Sequence, residues 1–175
     1  MNIKNEETVE YSNLTNYYRS FTNVTGDAYI QLMKYLFEKS QQFILVIRYD
    51  IILNDDINKI MEDLSPFLIK KVRQSCWANT DLCCEDYDSQ TIVHYFTPTK
   101  EALEIILNNT NNLFQWVQPS FPEDISFLID GEYIFTSTTH EKEYMFIDIP
   151  KYRIYGESGD KLSLLDIRTY SRQYT

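Results

Sequence analysis

Apolar residues recur at helical spacing in three segments of the chain. The first begins at Asp27 and places these apolar side chains on one face: Tyr29, Ile30, Met33, Leu36 and Phe37. The second, INKIMEDL, follows Asn54 and two aspartates, residues that cap helix N-termini, and ends before Pro66. The third, PTKEALEIILNNT, begins at Thr97 or Pro98. A period near 3.6 residues predicts a helix in each segment.

β-rich runs separate these segments and dominate the later part of the chain. FILVIRYDII, beginning at Phe43, is continuous and β-branched, which indicates a strand buried on both faces. LIKKVRQSCWA and TIVHYFT are further β-rich runs. ISFLID, EYIFTST and YMFIDI then follow one another across turns at Asp130-Gly131 and His140–Glu143. Asp-Gly between two such runs predicts a tight hairpin, because a type I′ turn needs positive φ at both central residues.

The order of these elements predicts an α+β fold with a mixed or antiparallel sheet, about three helices and a C-terminal β-meander. Residues 1–26 are polar and lack either period, so we expect a loosely ordered N-terminal arm. Residues 27–175 are expected to form a single domain, to which the tail after Lys151 can add one or two strands. The 175 residues suffice for a sizeable core, and no repeat or linker marks a second domain.

The charge balance narrows the classes of partner. Sixteen basic against 26 acidic residues give a net charge of −10, which repels phosphate backbones and anionic lipids. We therefore expect no direct nucleic-acid binding and no membrane binding. An acidic chain with 14 tyrosines suits a basic protein partner, since Tyr supplies rigid contact area with a polar tip. Ordinary acidic solubility explains the same charge without a partner.

Targeting signals and cysteines favour a cytoplasmic protein. The start of the chain has no apolar core of signal-peptide length, and the run Phe43–Ile47 is too short to span a bilayer. Cys76, Cys83 and Cys84 form an odd set, so reduced thiols are expected. With His94 they match no zinc-finger spacing, and we expect neither a metal nor a cofactor. A nucleophilic pair of Cys83 or Cys84 with His94 would require spatial proximity.

One group of polar residues has side chains suited to metal binding or proton transfer. His140 and Glu141 lie at a predicted strand end with Glu143, and Asp124 and Asp148 are near enough in sequence to complete a histidine-carboxylate group. Such a group binds metals or shuttles protons, which makes His140 and Glu141 the candidate catalytic residues. HEKE lacks the HExxH spacing, however, and a solvated hairpin end explains the same residues.

Acidic and aromatic residues supply the candidate partner-binding surface. The acidic stretch from Asp81 to Asp88 does not follow the EF-hand pattern, so we expect a solvated loop. Trp and Tyr dominate interface hot spots, although most large rings of the chain are expected in the core. The candidate partner-binding residues are Asp81, Glu85, Asp86, Tyr87, Asp88, Trp116, Tyr133 and Tyr144.

A resemblance rests on one line of residues in the third quarter of the chain. The line comprises Pro122-Glu123-Asp124-Ile125, Phe127, Asp130-Gly131, Phe135, Ser137 and His140-Glu141. It resembles a group of small uncharacterised proteins of Gram-positive bacteria. Their sequences have a similar order of a Pro-Glu-Asp step, a hairpin and a His-Glu step, with Leu in place of Ile125. The resemblance implies no activity. Small acidic bacterial proteins of this general kind include immunity proteins and inhibitors of toxins or nucleases.

Together these patterns predict a non-enzymatic, acidic protein-binding module, of the inhibitor or immunity type, that acts on a basic protein partner. No GxGxxG, Walker A or GxSxG motif occurs, which argues against familiar nucleotide and serine-hydrolase chemistry. Two alternatives stay open. One is a small metal-dependent or acid/base enzyme that uses His140 and neighbouring carboxylates. The other is a nucleic-acid mimic whose carboxylates imitate phosphates.

Overall fold

The computed structural model describes residues 16–49, 51, 53–78, 80, 81 and 91–148. Within them the helices are α1 (Gly26–Lys39), α2 (Asp55–Asp63) and α3 (Lys100–Asn109). The strands are β1 (Asn16–Ser20), β2 (Gln42–Arg48), β3 (Leu68–Arg73), β4 (Cys76–Trp77), β5 (Thr80–Asp81), β6 (Thr91–Phe96), β7 (Glu123–Ile129), β8 (Glu132–Thr138) and β9 (Glu143–Asp148). Short 3-10 turns occupy Ser65–Phe67, Leu113–Gln115 and Thr139–Glu141.

Seven strands form one antiparallel sheet in the order β1-β9-β8-β7-β2-β6-β3. The last three strands of the described chain, β7 to β9, are sequential neighbours and form the meander. Strands β4 and β5 pair only with each other within the described residues and make a two-stranded ribbon. The α+β prediction, with three helices, an antiparallel sheet and a C-terminal meander, is confirmed.

The N-terminal arm contains one strand that was not predicted. Residues 1–26 were expected to form a loosely ordered arm, and within them Asn16–Ser20 form β1 and pair with β9 along the whole strand. Arg19 of β1 also donates a charge-assisted hydrogen bond to the buried carboxylate of Glu143. The segment NYYRS has no strand-like alternation of apolar residues. Its own pattern therefore gave no sign of the pairing that β9 provides. Residues 1–15 and the tail after Asp148 lie outside the described residues.

Local turn and cap chemistry agrees with the sequence. Asp130 and Gly131 have φ values of 49° and 85°, which are the positive angles that a type I′ turn requires. The Asn54 side chain accepts hydrogen bonds from the backbone of Asp56 and Ile57 and caps α2. Helix α3 is capped by Thr99 and begins one residue beyond it, slightly later than Pro98 suggested.

The main core lies between the helices and one face of the sheet. Helices α1 and α3 pack over this face, and aromatic rings from five strands interlock beneath them. The central side chains of this core are Tyr29, Met33, Leu36, Phe43, Phe96, Phe127, Phe135 and Phe146. Neighbouring rings lie 4.9 to 6.1 Å apart in tilted, stacked and edge-on arrangements. Each buried side chain of this size contributes about 1.5–3 kcal/mol to the free energy of unfolding.

A smaller core lies on the opposite face of the sheet. Ile44 and Val46 of β2 pack there with Val93, Leu128 and the indole of Trp77 from the β4-β5 ribbon. Strand β2 is therefore buried on both faces, as its continuous apolar run predicted. Among the described residues, none of the helices combines the length and the apolar character that a bilayer crossing requires.

His94 is a buried histidine beneath α2. It lies on the helix-facing side of β6, opposite Leu45 of β2 and Lys71 of β3, and is 2% exposed. Burial, reinforced by the positive charge of Lys71, lowers the pKa of His94 from 6.5 to about 4, and the carbonyls of Ile92 and Leu45 oppose this change only in part. The imidazole is therefore neutral at neutral pH.

We expect His94 to make the protein sensitive to acid. Because the folded protein binds this proton less tightly than the unfolded chain, the free energy of unfolding falls as pH drops from 6.5 towards 4. The loss is on the order of 3 kcal/mol, since a tenfold change in proton affinity corresponds to about 1.4 kcal/mol. Urea unfolding of the wild type and of His94→Phe across this range measures the difference.

Between pH 6.5 and 4, the free energy of unfolding of His94→Phe should fall less than that of the wild type. Lys70→Gln, which changes an exposed residue of β3 that faces Tyr95, is the control and should keep the wild-type loss. A His94→Phe variant that loses stability in acid as steeply as the wild type would contradict the assignment.

Candidate functional site

Glu123, Asp124 and His140 form a cluster at one end of the meander. One ligand atom from each residue lies within 4.8 Å of the other two. Glu123 and Asp124 begin β7, and His140 lies in the turn that follows β8. Since β7 and β8 run antiparallel, the start of the first strand is next to the end of the second. The topology therefore brings residues 16 positions apart into one site.

The backbone at Asp124 lets two consecutive side chains share the cluster. In a regular strand successive side chains point to opposite faces. Asp124 has a φ of 58°, in the left-handed region that Asp tolerates better than most residues. The pairing of β2 with β7 also shifts register between Ile44 and Val46, opposite this point. The regular alternation is thereby broken, and both carboxylates are buried in the same place.

The carboxylate of Asp124 connects three parts of the fold. Its Oδ2 accepts a hydrogen bond of 2.8 Å from Trp77 Nε1, and its Oδ1 accepts one of 2.8 Å from the backbone N–H of Thr139. The Thr139 hydroxyl lies 3.0 Å from the same Oδ1 and also contacts the carbonyl of Trp116. One hydroxyl proton serves one acceptor at a time, so the two N–H groups are the constant donors. Asp124 thus fixes the turn and the β4-β5 ribbon to β7.

Glu123 is the less satisfied member of the pair. It is 2% exposed, and its Oε2 has no hydrogen-bond partner among the described residues. Burial, together with the neighbouring charge of Asp124, raises the pKa of Glu123, and the positive charge of Arg48 only partly opposes this rise. Burial also raises the pKa of Asp124 against its hydrogen bonds from Trp77 and Thr139. Burial therefore raises the pKa of both carboxyl groups, and Asp124 is the one that accepts hydrogen bonds from Trp77 and Thr139.

His140 connects the buried carboxylates with solvent. Its side chain is 38% exposed, and its Nδ1 lies 4.0 Å from Asp124 Oδ1. On its other side, Nε2 lies 3.9 Å from Glu141 Oε1, which is itself well exposed. The imidazole therefore lies between a buried and an exposed carboxylate.

The sequence anticipated part of this cluster. The proximity of His140 to Asp124 and Glu141 agrees with the predicted histidine-carboxylate group. Glu143 is instead engaged with Arg19, and the side chain of Asp148 is not described. Glu123 was missed, because strict alternation along a strand places it on the face opposite Asp124.

The predicted partner-binding residues that the structure describes do not form one exposed surface. Trp116 is fully buried, and its Nε1 donates a 2.9 Å hydrogen bond to the hydroxyl of Tyr29. Tyr144 is 6% exposed and Tyr133 is half-buried. These rings pack in the cores, and Trp116 and Tyr144 offer almost no surface to a partner. Asp81 is the last residue of β5, and the structure does not describe its side chain. The acidic residues Glu85, Asp86 and Asp88 and the neighbouring Tyr87 lie outside the described residues.

The thiol candidates are also only partly described. Cys76 is exposed on β4, whereas His94 is buried beneath α2. Cys83 and Cys84 lie outside the described residues, so their pairing with His94 stays a prediction.

The chemistry of the cluster suits a cation or a proton. One imidazole and two carboxylates are a mixed nitrogen and oxygen donor set, which first-row divalent metals accept. Bonds of about 2.0–2.2 Å to such a metal hold neighbouring ligand atoms about 3–3.5 Å apart. The 4.0 Å between His140 and Asp124 would therefore shorten by less than about 1 Å, through rotation of an exposed ring.

Neutralising Glu123 should stabilise the protein at alkaline pH. Because the folded protein holds this proton more tightly than the unfolded chain, Glu123 lowers the free energy of unfolding as pH rises above its ordinary value of 4.5. Glu123→Gln keeps the side-chain shape without the charge. We expect its Tm to exceed that of the wild type at pH 8 and the difference to shrink below pH 4.5.

Thermal unfolding without added metal tests this expectation, with Glu132→Gln as the control on an exposed residue of β8. A Glu123→Gln variant that is less stable than the wild type at pH 8 would show that Glu123 is ionised and stabilising in the fold.

Comparison with known proteins finds no matching family model, no matching curated protein and no matching solved structure. The chemical interpretation of the cluster therefore depends on its own geometry.

Proposed function

We propose that the protein binds a divalent metal ion through Glu123, Asp124 and His140. The observation that supports this most directly is the buried, unpartnered Oε2 of Glu123 within the described residues. A buried polar atom without a partner costs about 1–3 kcal/mol, and a cation would offset this cost. The same cluster supplies a second carboxylate and an imidazole within 4.8 Å.

The remaining hydrogen-bonding capacity of each residue is compatible with this role. A carboxylate has about four lone-pair sites, and the hydrogen bonds to Asp124 leave at least one of them for a metal. Glu123 would give up its proton as the metal binds, because a ligating carboxylate must be ionised. His140 would use one ring nitrogen and leave the other near Glu141, the kind of outer carboxylate that orients metal-bound histidines.

Three protein ligands leave a coordination position for water or a substrate, which is typical of catalytic metal sites rather than structural ones. The proposed function is therefore that of a small metal-dependent enzyme, with Glu123, Asp124 and His140 as ligands. Glu141, exposed beside the imidazole, is the group that would accept or donate a proton at the open side of the site.

Metal titration tests this function. We expect one Mn²⁺ or Zn²⁺ per chain by isothermal titration calorimetry, and at least about tenfold weaker binding in Glu123→Gln and His140→Ala. Mn²⁺ is the decisive probe, because it prefers oxygen and nitrogen donors to the thiols of the chain. Glu132→Gln is the matched control, since it removes an equal charge from an exposed position. Equal Mn²⁺ affinity in all four proteins, or no binding to the wild type, would overturn the proposal.

The net charge of −10 favours a second candidate function, that of an acidic protein-binding module. We propose in this case an inhibitor or immunity-type protein that acts in the cytoplasm on a basic partner. Electrostatic complementarity would accelerate their association. Phe21 and Tyr49, which are 66% and 50% exposed, are large rings available at the surface.

Charge removal in the segment from Asp81 to Asp88 tests this second function. The association rate would be measured with a partner protein that is captured from host lysate at low salt and released at moderate salt. Neutralising Asp81, Glu85, Asp86 and Asp88 should slow its association and weaken the salt dependence of the rate, as rim charges do. The matched control neutralises four exposed glutamates elsewhere: Glu38, Glu62, Glu104 and Glu132. Equal association rates for the two variants would exclude this segment as the contact.

A further inference from the structure

A cavity of about 110 Å³ lies between α2 and the sheet, where β2, β6 and β3 are neighbours. Its lining is mainly apolar and includes Ile47, Leu53, Ile57, Met61, Leu68 and Phe96. Its remaining lining residues are Tyr49, Asn58, Ser65, Lys71 and His94, of which only His94 is buried. The cavity therefore has an apolar interior, an imidazole at its base and a polar opening.

The imidazole of His94 is a buried polar group in the lining of this cavity. The residue is 2% exposed, and its Nδ1 has no partner of good hydrogen-bond geometry among the described residues, although the carbonyls of Ile92 and Leu45 lie near the ring. A buried ring nitrogen without a well-aligned partner is only partly compensated for its lost interaction with water. A bound molecule with a polar group near Nδ1 would remove this cost.

Lys71 gives the cavity a positive charge. It is the only charged side chain among the described lining residues, although the whole protein has a net charge of −10. Its register opposite His94 on the neighbouring strand places the two side chains on the same face of the sheet. The repulsion that Lys71 exerts on a protonated His94 shows that the two groups are electrostatically coupled. An anionic group beside both of them would be stabilised by the ammonium and by a hydrogen bond with the ring.

We propose that this cavity binds a small monocarboxylate with a short apolar tail. The carboxylate lies between Lys71 Nζ and His94 Nδ1, and the tail packs against Ile57, Met61 and Phe96. The volume limits the tail, because an apolar cavity of about 150 Å³ holds benzene and this one is smaller. A tail of about four carbons, which is smaller than benzene, fits this limit.

This binding site is independent of the proposed metal site. The cavity and the Glu123-Asp124-His140 cluster have no residue in common. The failure of metal binding would therefore leave the carboxylate site untouched, and the reverse also holds.

Isovalerate is the probe for this site. Titration of the full chain, followed by nitrogen-proton NMR of the histidine side chains, should give saturable changes in chemical shift for His94 and none for His140. Isopentanol, which has the same branched tail without the charge, and acetate, which has the charge without the tail, should each bind at least about tenfold more weakly.

Two adjacent lysines provide a matched pair of variants. Lys71→Gln should weaken isovalerate binding at least about tenfold, because it removes a charged hydrogen-bond donor. Lys70→Gln should leave it unchanged, since the ammonium of Lys70 lies over the ring of Tyr95, 4.5 Å from its centre, and outside the cavity. Both lysines are exposed, so neither change should prevent folding.

Three results would overturn the proposal: absence of saturable binding, acetate binding as tightly as isovalerate, or equal weakening by the two lysine variants. The first would exclude a carboxylate site, and the second would exclude recognition of the tail. The third would show that isovalerate binding depends on the net charge of the protein and not on Lys71.

Discussion

The buried carboxylate of Asp124 is the interaction on which the arrangement of the meander depends. It accepts hydrogen bonds from the indole of Trp77 and from the backbone of Thr139, which come from separate elements. The contact from Thr139 to the Trp116 carbonyl and the bond from the Trp116 indole to Tyr29 extend this chain into α1. A single buried side chain thus links the ribbon on one face of the sheet to the helix on the other. Removing one partner of such a buried network typically costs several kcal/mol.

The same constraint creates the chemistry of the candidate site. Holding Asp124 in a left-handed conformation buries its neighbour Glu123 beside it instead of on the opposite face. Two carboxyl groups at this distance, away from water, cannot both ionise without a compensating charge. Arg48 supplies part of this charge, and a proton on one of the two groups or the proposed cation would supply the rest. The structural role of Asp124 thus places Glu123 in a buried position beside a second carboxyl group.

The sequence predicted those features that depend on local chemistry. The helices follow from apolar spacing, and the Asp130-Gly131 hairpin follows from the positive φ that its turn type requires. Pairings decided by distant residues could not be read in this way. Strand β1 has no apolar alternation and is ordered by β9, while the burial of Glu123 depends on a break in alternation at Asp124. His140 was identified as a candidate because it lies beside Glu141 and Glu143 at a predicted strand end, but its buried partner Glu123 gave no local signal.

The two histidines show how position decides the chemistry of one residue type. His94 is enclosed by apolar side chains and lies opposite Lys71, so it is a neutral hydrogen-bonding group. His140 is partly exposed and lies between two carboxylates, so its ring is placed to share the proposed metal ion with Asp124. The same distinction separates the two buried acids. Asp124 cannot be changed without losing the hydrogen bonds that hold the turn, whereas Glu123 bears no hydrogen bond at Oε2 among the described residues. Glu123 is therefore the position at which the proposed metal binding can be tested while those hydrogen bonds are kept.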